Sequence, residues 1–206
     1  MVRFMNLPDY IAIQKYHRDR ILKFGADSSR ALGWTSNEGQ LARFKIIEEL
    51  LGDLSDKSIL DAGCGHGDLR EYIGDKFSGL RYAGIDQIDS FIDVAVERYA
   101  HYPETAFYFG DFYKADLPVM DYVVVCGALN YKSNDPEYVF KAITKLFNNC
   151  RLGLVFNMLK SIENEEGILV AYDPEIILAH CRTLSENVVY RDGYYEEDFS
   201  VSLFKP

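Results

Sequence analysis

Hydrophobic and polar positions along the chain change rhythm between Gly52 and Ser58. Before that point apolar residues recur at helical spacing. Over 9–24, Ile11, Ile13, Ile21 and Leu22 are interleaved with charge and predict a first helix. Thr35, followed by Glu38, reads as a capping box for a second helix, along which Leu41, Phe44, Ile47, Leu50 and Leu51 line one face until Gly52 stops it.

From Ser58 onward, short apolar runs alternate with amphipathic stretches, as they do in a parallel sheet with crossover helices. Strands are predicted over 58–61, 81–85, 106–109, 121–126 and 153–156, with helices over 68–77, 89–100 and 136–148. In the last of these, Asp135 is placed to cap, Pro136 suits the first turn, and Val139, Phe140, Ile143 and Phe147 share a face. Asp173–Pro174–Glu175 repeats that opening and starts a helix reaching Cys181. Two further strands, 188–191 and 199–204, are separated by a segment too short for a parallel crossover, so they form an antiparallel pair.

The expected architecture is a single α/β domain over 1–206, doubly wound, with a mostly parallel seven-stranded Rossmann-like sheet ending in an antiparallel hairpin. Residues 58–206 form its core. Residues 1–52 are expected to form an N-terminal helical lid over the carboxyl edge, because they carry Tyr16, His17, Trp34 and Gln40 instead of a purely apolar packing face.

Composition narrows the function classes. A chain of 206 residues, 48% hydrophobic and 14% aromatic, is that of a globular protein with a sizeable core. No apolar run approaches the ~20 residues needed to cross a bilayer, and the opening residues lack the apolar stretch of a signal peptide. A cytoplasmic protein with no membrane partner is expected. Cys64, Cys126, Cys150 and Cys181 form no C-x-x-C pair, and three of them lie in apolar segments, so they are read as buried free thiols. With His17, His66, His101 and His180 equally dispersed, no structural metal is expected. A net charge of −10 repels a phosphate backbone, which argues against duplex nucleic acid as a partner. The run Arg18, Arg20, Lys23 reads as a solvated helix face.

The most informative segment is a strand ending at Asp61, then Gly63-x-Gly65-x-Gly67, then a helix. Glycines there let the backbone turn sharply and approach a nucleotide in the crevice at the sheet's carboxyl edge. A dinucleotide fingerprint needs glycine at position 68, where Asp68 stands, and no P-loop pattern occurs anywhere. Asp86, about 20 residues past the loop at the end of the second strand, is placed to accept from both hydroxyls of a ribose. The pattern suits an unphosphorylated nucleoside.

Asp61–Ala62–Gly63–Cys64–Gly65–His66–Gly67, Gly84–Ile85–Asp86 and Gly110–Asp111–Phe112 resemble, in order and separation, the first three motifs of class I S-adenosylmethionine-dependent methyltransferases. The resemblance extends over 58–206 and includes the closing hairpin. It implies that S-adenosyl-L-methionine is the cofactor and S-adenosyl-L-homocysteine the product. Asp61 with the backbone of Gly63, Cys64 and Gly65 would hold the methionine part, and Asp86 the ribose. Asp111 would accept from the adenine amino group, Phe112 would donate its backbone N–H to the ring, and Gln87 would lie against the adenine edge. Gly33–Trp34–Thr35–Ser36 and Gln40–Leu41–Ala42–Arg43–Phe44 are in addition similar to segments of a group of small bacterial and archaeal methyltransferases. That likeness places Trp34 beside the methionine end.

Cys126–Gly127–Ala128–Leu129–Asn130–Tyr131 leaves the fourth strand where the methyl group would lie, so Gly127 joins the cofactor set. Asn130, Tyr131 and Asn157 become candidate contacts for the acceptor, with His17 the histidine to test as a proton acceptor. The Asn/Asp-Pro-Pro-aromatic sequence of many amino methyltransferases does not occur here. Arg43 either meets the cofactor carboxylate or pairs on the surface with Glu48 or Glu49, and the second reading is favoured. His66 is read as incidental, His101 and His180 as capping or packing groups. The expected function is methyl transfer to a small-molecule acceptor. The alternatives are a cofactor-binding sensor or scaffold, an aminopropyl transferase, or an oxidoreductase.

Overall fold

The computed structural model describes residues 7–34, 36–162, 166–195 and 197–206. Its elements are α1 (Leu7–Phe24), α2 (Asn37–Leu51), β1 (Ser58–Ala62), α3 (Asp68–Ile73), β2 (Arg81–Asp86), α4 (Asp89–Tyr99), β3 (Thr105–Phe109), β4 (Met120–Val125), α5 (Tyr138–Asn148), β5 (Cys150–Leu159), α6 (Pro174–Leu184), β6 (Asn187–Asp192) and β7 (Asp198–Phe204). They build the doubly wound sheet that the alternating pattern predicts.

The seven strands lie in the order β3-β2-β1-β4-β5-β7-β6. Neighbours from β3 to β5 pair in parallel, whereas β7 runs antiparallel to both β5 and β6. The chain winds outward from β1 through β2 to β3 and then crosses back to β4. The order therefore reverses between β1 and β4, where parted connections leave a crevice at the carboxyl edge.

Both faces of the sheet are covered, so β1 is buried at every position. Leu60, Val123, Leu154 and Val201 point to one side, against Val139 and Ile143 of α5 and Ile177 of α6. Ile59, Val124 and Val155 point to the other, against Phe44, Ile47 and Leu51 of α2 and Leu69 and Ile73 of α3. α2 is thus a layer of the core. α1 buries only Asp9, Ile13 and His17, and its apolar contacts are small satellite clusters around Tyr138 and Phe91.

Several boundaries differ from the sequence reading for local reasons. Thr35 lies outside the described residues, and the cap of α2 is Ser36, whose Oγ accepts the Gly39 N–H at 3.1 Å. Leu41 is 52% exposed, while Gln40 and Arg43 turn inward. α3 stops at Ile73 because Gly74, at φ +55, caps it. α5 begins at Tyr138, because Asp135 accepts the Glu137 N–H at 3.0 Å and holds Asp135–Pro136–Glu137 as a turn ahead of the helix. The matching opening at Asp173 does cap α6, with Pro174 in the first turn. All four cysteines are buried and unpaired. Among the described residues, no helix is long and apolar enough to cross a membrane.

Candidate functional site

The connection after β1 turns through three left-handed glycines, Gly63, Gly65 and Gly67, before α3 starts at Asp68. At Gly63 (φ +80) a Cβ would lie 2.4 Å from the Ala128 Cβ, so no other residue fits against the loop after β4. At Gly65 a Cβ would meet the Leu32 side chain at 2.7 Å, so the position is closed by the segment between α1 and α2. Asp86 braces this turn from the end of β2, accepting the Gly65 N–H through Oδ2 and the Ile88 N–H through Oδ1, both at 2.9 Å. Burial nevertheless raises its pKa to about 6.

Asp61, 2% exposed, accepts from the Tyr82 hydroxyl at 2.5 Å through Oδ2 and leaves Oδ1 without a partner. Burial, with the neighbouring Asp86 and Asp68 charges, pushes it up to about 7. Gln87 Oε1 and Asp111 Oδ2 are likewise buried with no hydrogen bond, although Lys114 Nζ stands 3.7 Å from the latter. Asp111 Oδ1 accepts the Tyr113 N–H at 2.8 Å. Lys145 of α5 clamps the same loop by donating to the carbonyls of Phe112, Tyr113 and Ala115 at 2.6 to 2.9 Å.

On the other side of the switch point, Asn157 Oδ1 accepts the Gly127 N–H at 2.8 Å. Asn130 donates to the Val170 carbonyl at 2.7 Å and accepts the Leu159 N–H at 3.2 Å. These two asparagines tie loop backbones together. Tyr131 and His17 face each other across the cavity wall, with the Tyr131 hydroxyl 2.7 Å from His17 Nε2 and His17 Nδ1 3.0 Å from the Ala31 carbonyl. A carbonyl only accepts, so Nδ1 carries the proton and Nε2 accepts from the tyrosine. Burial lowers the His17 pKa to about 4, which keeps the ring neutral.

Trp34 packs between Gly127, whose Cβ position lies 2.9 Å from the indole, and the Arg43 guanidinium, 4.6 Å from the ring centroid. Arg43 does not pair with Glu48 or Glu49. It makes a bidentate contact with Asp198, while Glu48 binds Tyr72 and Lys76. His66 is fully buried inside the glycine loop, its ring edge-to-face with Phe91 at 4.9 Å between centroids and neither nitrogen hydrogen-bonded. His180 contacts Thr144 and the Phe140 carbonyl, and His101 stacks on Tyr102.

One cavity of about 660 Å³ at the carboxyl edge brings together every sequence-predicted position: Trp34, Asp61, Gly63, Cys64, Gly65, Asp86, Gln87, Asp111, Phe112 and Gly127, with His17, Asn130, Tyr131 and Asn157. Asp198, Tyr195 and Ile168 also line it and carry no motif in the sequence. α1 crosses above the edge by polar attachments. Asp9 accepts from Ser133 and Asn134, and Gln14 donates to the Gln87 carbonyl at 2.7 Å.

Residues 60–149 match the family model described as a methyltransferase domain. A search of curated protein sequences finds no match. Among solved structures, magnesium protoporphyrin IX methyltransferase from Synechocystis PCC 6803, with bound S-adenosylhomocysteine, is similar at a TM-score of 0.74 and 14% identity, over 96% of this chain and 100% of that one. The N-methyltransferase NodS from Bradyrhizobium japonicum WM9, in complex with S-adenosylhomocysteine, gives a TM-score of 0.71 and 16% identity over 95% and 99% of the two chains. Human N-acetylserotonin methyltransferase, in complex with S-adenosylmethionine, gives 0.66 and 15% over 95% and 58%. Residues 60–149 of this chain thus resemble a methyltransferase domain, and the chain as a whole has the fold of the methyltransferases named above.

Proposed function

We propose that the chain binds S-adenosylmethionine in this cavity and transfers its methyl group to a small-molecule acceptor. The observation that carries the reading is the set of buried acceptors with no hydrogen bond along the β1, β2 and β3 half of the wall: Asp61 Oδ1, Gln87 Oε1 and Asp111 Oδ2, the last with only the Lys114 ammonium at 3.7 Å. Buried acceptors left unsatisfied are costly, and a ligand rich in donors and positive charge relieves them. S-adenosylmethionine, with its ammonium, ribose hydroxyls, adenine amino group and sulfonium-activated methyl, matches that demand.

In this arrangement Asp61 takes the ammonium and the loop of Gly63, Cys64 and Gly65 fits around the methionine part. Asp86 uses its remaining lone pairs on the ribose while still bracing Gly65. Gln87, Asp111 and the Phe112 N–H receive the adenine, and Trp34 and Gly127 flank the methionine end. The protein's contribution is alignment and exclusion of water, with α1 closing the edge. A small acceptor is supported by a cavity of about 660 Å³, by the net charge of −10, and by the small molecules that name two of the structural relatives.

Calorimetric titration with S-adenosylhomocysteine tests the reading. Saturable binding to the wild type is expected, weakened in Asp86→Ala by about 1.5–3 kcal/mol, the range for hydrogen bonds to a charged group. Equal affinity in a folded Asp86→Ala protein would take Asp86 out of the site. No binding to the wild type would overturn the function.

A further inference from the structure

We propose that Tyr131 and His17 form a proton relay on the acceptor side of the cavity, receiving the proton of a methyl acceptor that reacts through an O–H or N–H group. The inference rests on the methyltransferase reading and adds to it the class of acceptor and the path of its proton.

Two hydrogen bonds set the direction of the relay. The Ala31 carbonyl fixes the His17 proton on Nδ1, so Nε2 presents a lone pair, and the Tyr131 hydroxyl donates to it at 2.7 Å. Having given its one proton to His17, the Tyr131 oxygen has only lone pairs left for the cavity that it lines. An acceptor group that docks there must itself be a donor. The three ring contacts around His17, to Tyr16, Phe91 and Tyr131, hold its 4% exposed ring in an apolar setting that disfavours water as a competing partner.

The position of the pair also fits. Asp61 and Asp86 lie at the carboxyl ends of β1 and β2 and Asp111 just past β3, whereas Tyr131 follows β4, across the switch point of the sheet. His17 reaches Tyr131 from α1 while its ring packs on Phe91 of α4, so the pair spans the switch point at the cavity wall.

The step balances. The bond from the acceptor's O or N to the methyl carbon forms as the sulfur–methyl bond breaks, and the electron pair of that bond stays on sulfur. The acceptor's proton passes to the Tyr131 oxygen while the Tyr131 proton passes to His17 Nε2. One positive charge leaves the sulfonium and reappears on the imidazolium, so the net charge of the cavity does not change. His17 holds its proton weakly, because burial disfavours the charged ring, and releases it when α1 opens and water returns. Tyr131 is the group that meets the acceptor, and His17 acts through it.

The experiment follows transfer of tritiated methyl from S-adenosylmethionine to a pooled panel of phenols, carboxylic acids, primary and secondary amines, and thiols. S-adenosylhomocysteine affinity is measured in parallel on each protein. Tyr131→Phe and His17→Ala are expected to lose transfer on the order of 100-fold or more, the scale of proton-transfer catalysis, with affinity changed less than about threefold. His17→Gln, whose amide oxygen holds the tyrosine hydroxyl but takes no proton, is expected to be as slow as His17→Ala. Wild-type rates in Tyr131→Phe or His17→Gln would overturn the relay alone. A wild type that neither binds nor transfers would overturn the methyltransferase reading and the relay with it. Should the variants fold poorly, nitrogen-15 spectra of the wild-type histidines give a separate answer. A His17 ring protonated on Nδ1 is expected, and the opposite tautomer would overturn the proposal.

Discussion

Arg43 and Asp198 stand 155 positions apart in the chain and form one bidentate pair, Nε to Oδ2 at 2.5 Å and Nη2 to Oδ1 at 2.7 Å. The pair joins α2 to the start of β7, and the Trp34 indole lies against the guanidinium. It fixes one corner of the cavity. The Asp198 side chain is completely buried and that of Arg43 is 11% exposed, so neither charge has water as a substitute partner. Asp198→Ala is expected to destabilise the fold by about 3–5 kcal/mol, because the remaining guanidinium is buried unpaired. Replacing both, in Arg43→Met with Asp198→Leu, is expected to recover most of that loss. Urea unfolding of the three proteins checks it, and a mild effect of Asp198→Ala would mean that the pair is open to solvent.

Asp61 gives a pH signature. Its folded-state pKa of about 7 lies above the ordinary carboxylate value of 3.8, so the fold favours the protonated form. Its contribution is fully present below about pH 4 and is lost as pH rises through 7. Asp61→Asn, which keeps an acceptor for Tyr82 without a charge, is therefore expected to be more stable than the ligand-free wild type at pH 8, with the advantage shrinking toward pH 5. Melting temperatures across that range decide. His17 acts in the opposite sense, being depressed to about 4, so its share of stability is lost as pH falls from 6.5 toward 4. The comparison with the variant isolates Asp61. Cofactor binding is expected to strengthen as pH rises toward 7, because an ammonium favours the ionised carboxylate.

Gly63 sets the separation between the two loops that flank the switch point. With Cβ positions only 2.4 Å apart at residues 63 and 128, Gly63→Ala is expected to cost about 1–3 kcal/mol from overpacking, and more from the left-handed backbone. Ala128→Gly in the same chain is expected to return the overpacking share and leave the backbone share. A double-mutant cycle by thermal unfolding measures the coupling, and strict additivity would place the two loops further apart.

α1 is attached by polar contacts and small satellite apolar clusters, whereas α2 packs its apolar face on the sheet. We expect α1 to open more readily than α2 and to close over a bound cofactor, which restricts the lid to the first helix. Hydrogen exchange on the free and S-adenosylhomocysteine-bound protein is expected to show protection gained over residues 10–24 and little change over 44–51. High, equal protection of both helices in the free protein would make α1 a fixed part of the core.

The order of strands and helices was legible because each is specified by neighbours in sequence. Continuous apolar runs mark strands buried on both faces, and the segment between 192 and 198 is too short for a crossover. The candidate cofactor residues were legible for the same reason. Asp61, the glycines, Asp86 and Asp111 each sit at the end of a strand, so finding the strand finds the edge. Tertiary structure alone decided the partners of the remaining polar groups. Arg43 has Glu48 and Glu49 near it in sequence and bonds Asp198, and His17 finds Tyr131 across 114 positions. Gly65 meets Leu32, Leu41 turns outward while Gln40 and Arg43 turn in, and His66 is enclosed beside Phe91. Periodicity reports which face of an element leaves water. Which group it meets there depends on the strand order and on where α1 and α2 cross the sheet, and those contacts form only when segments far apart in the chain are packed together.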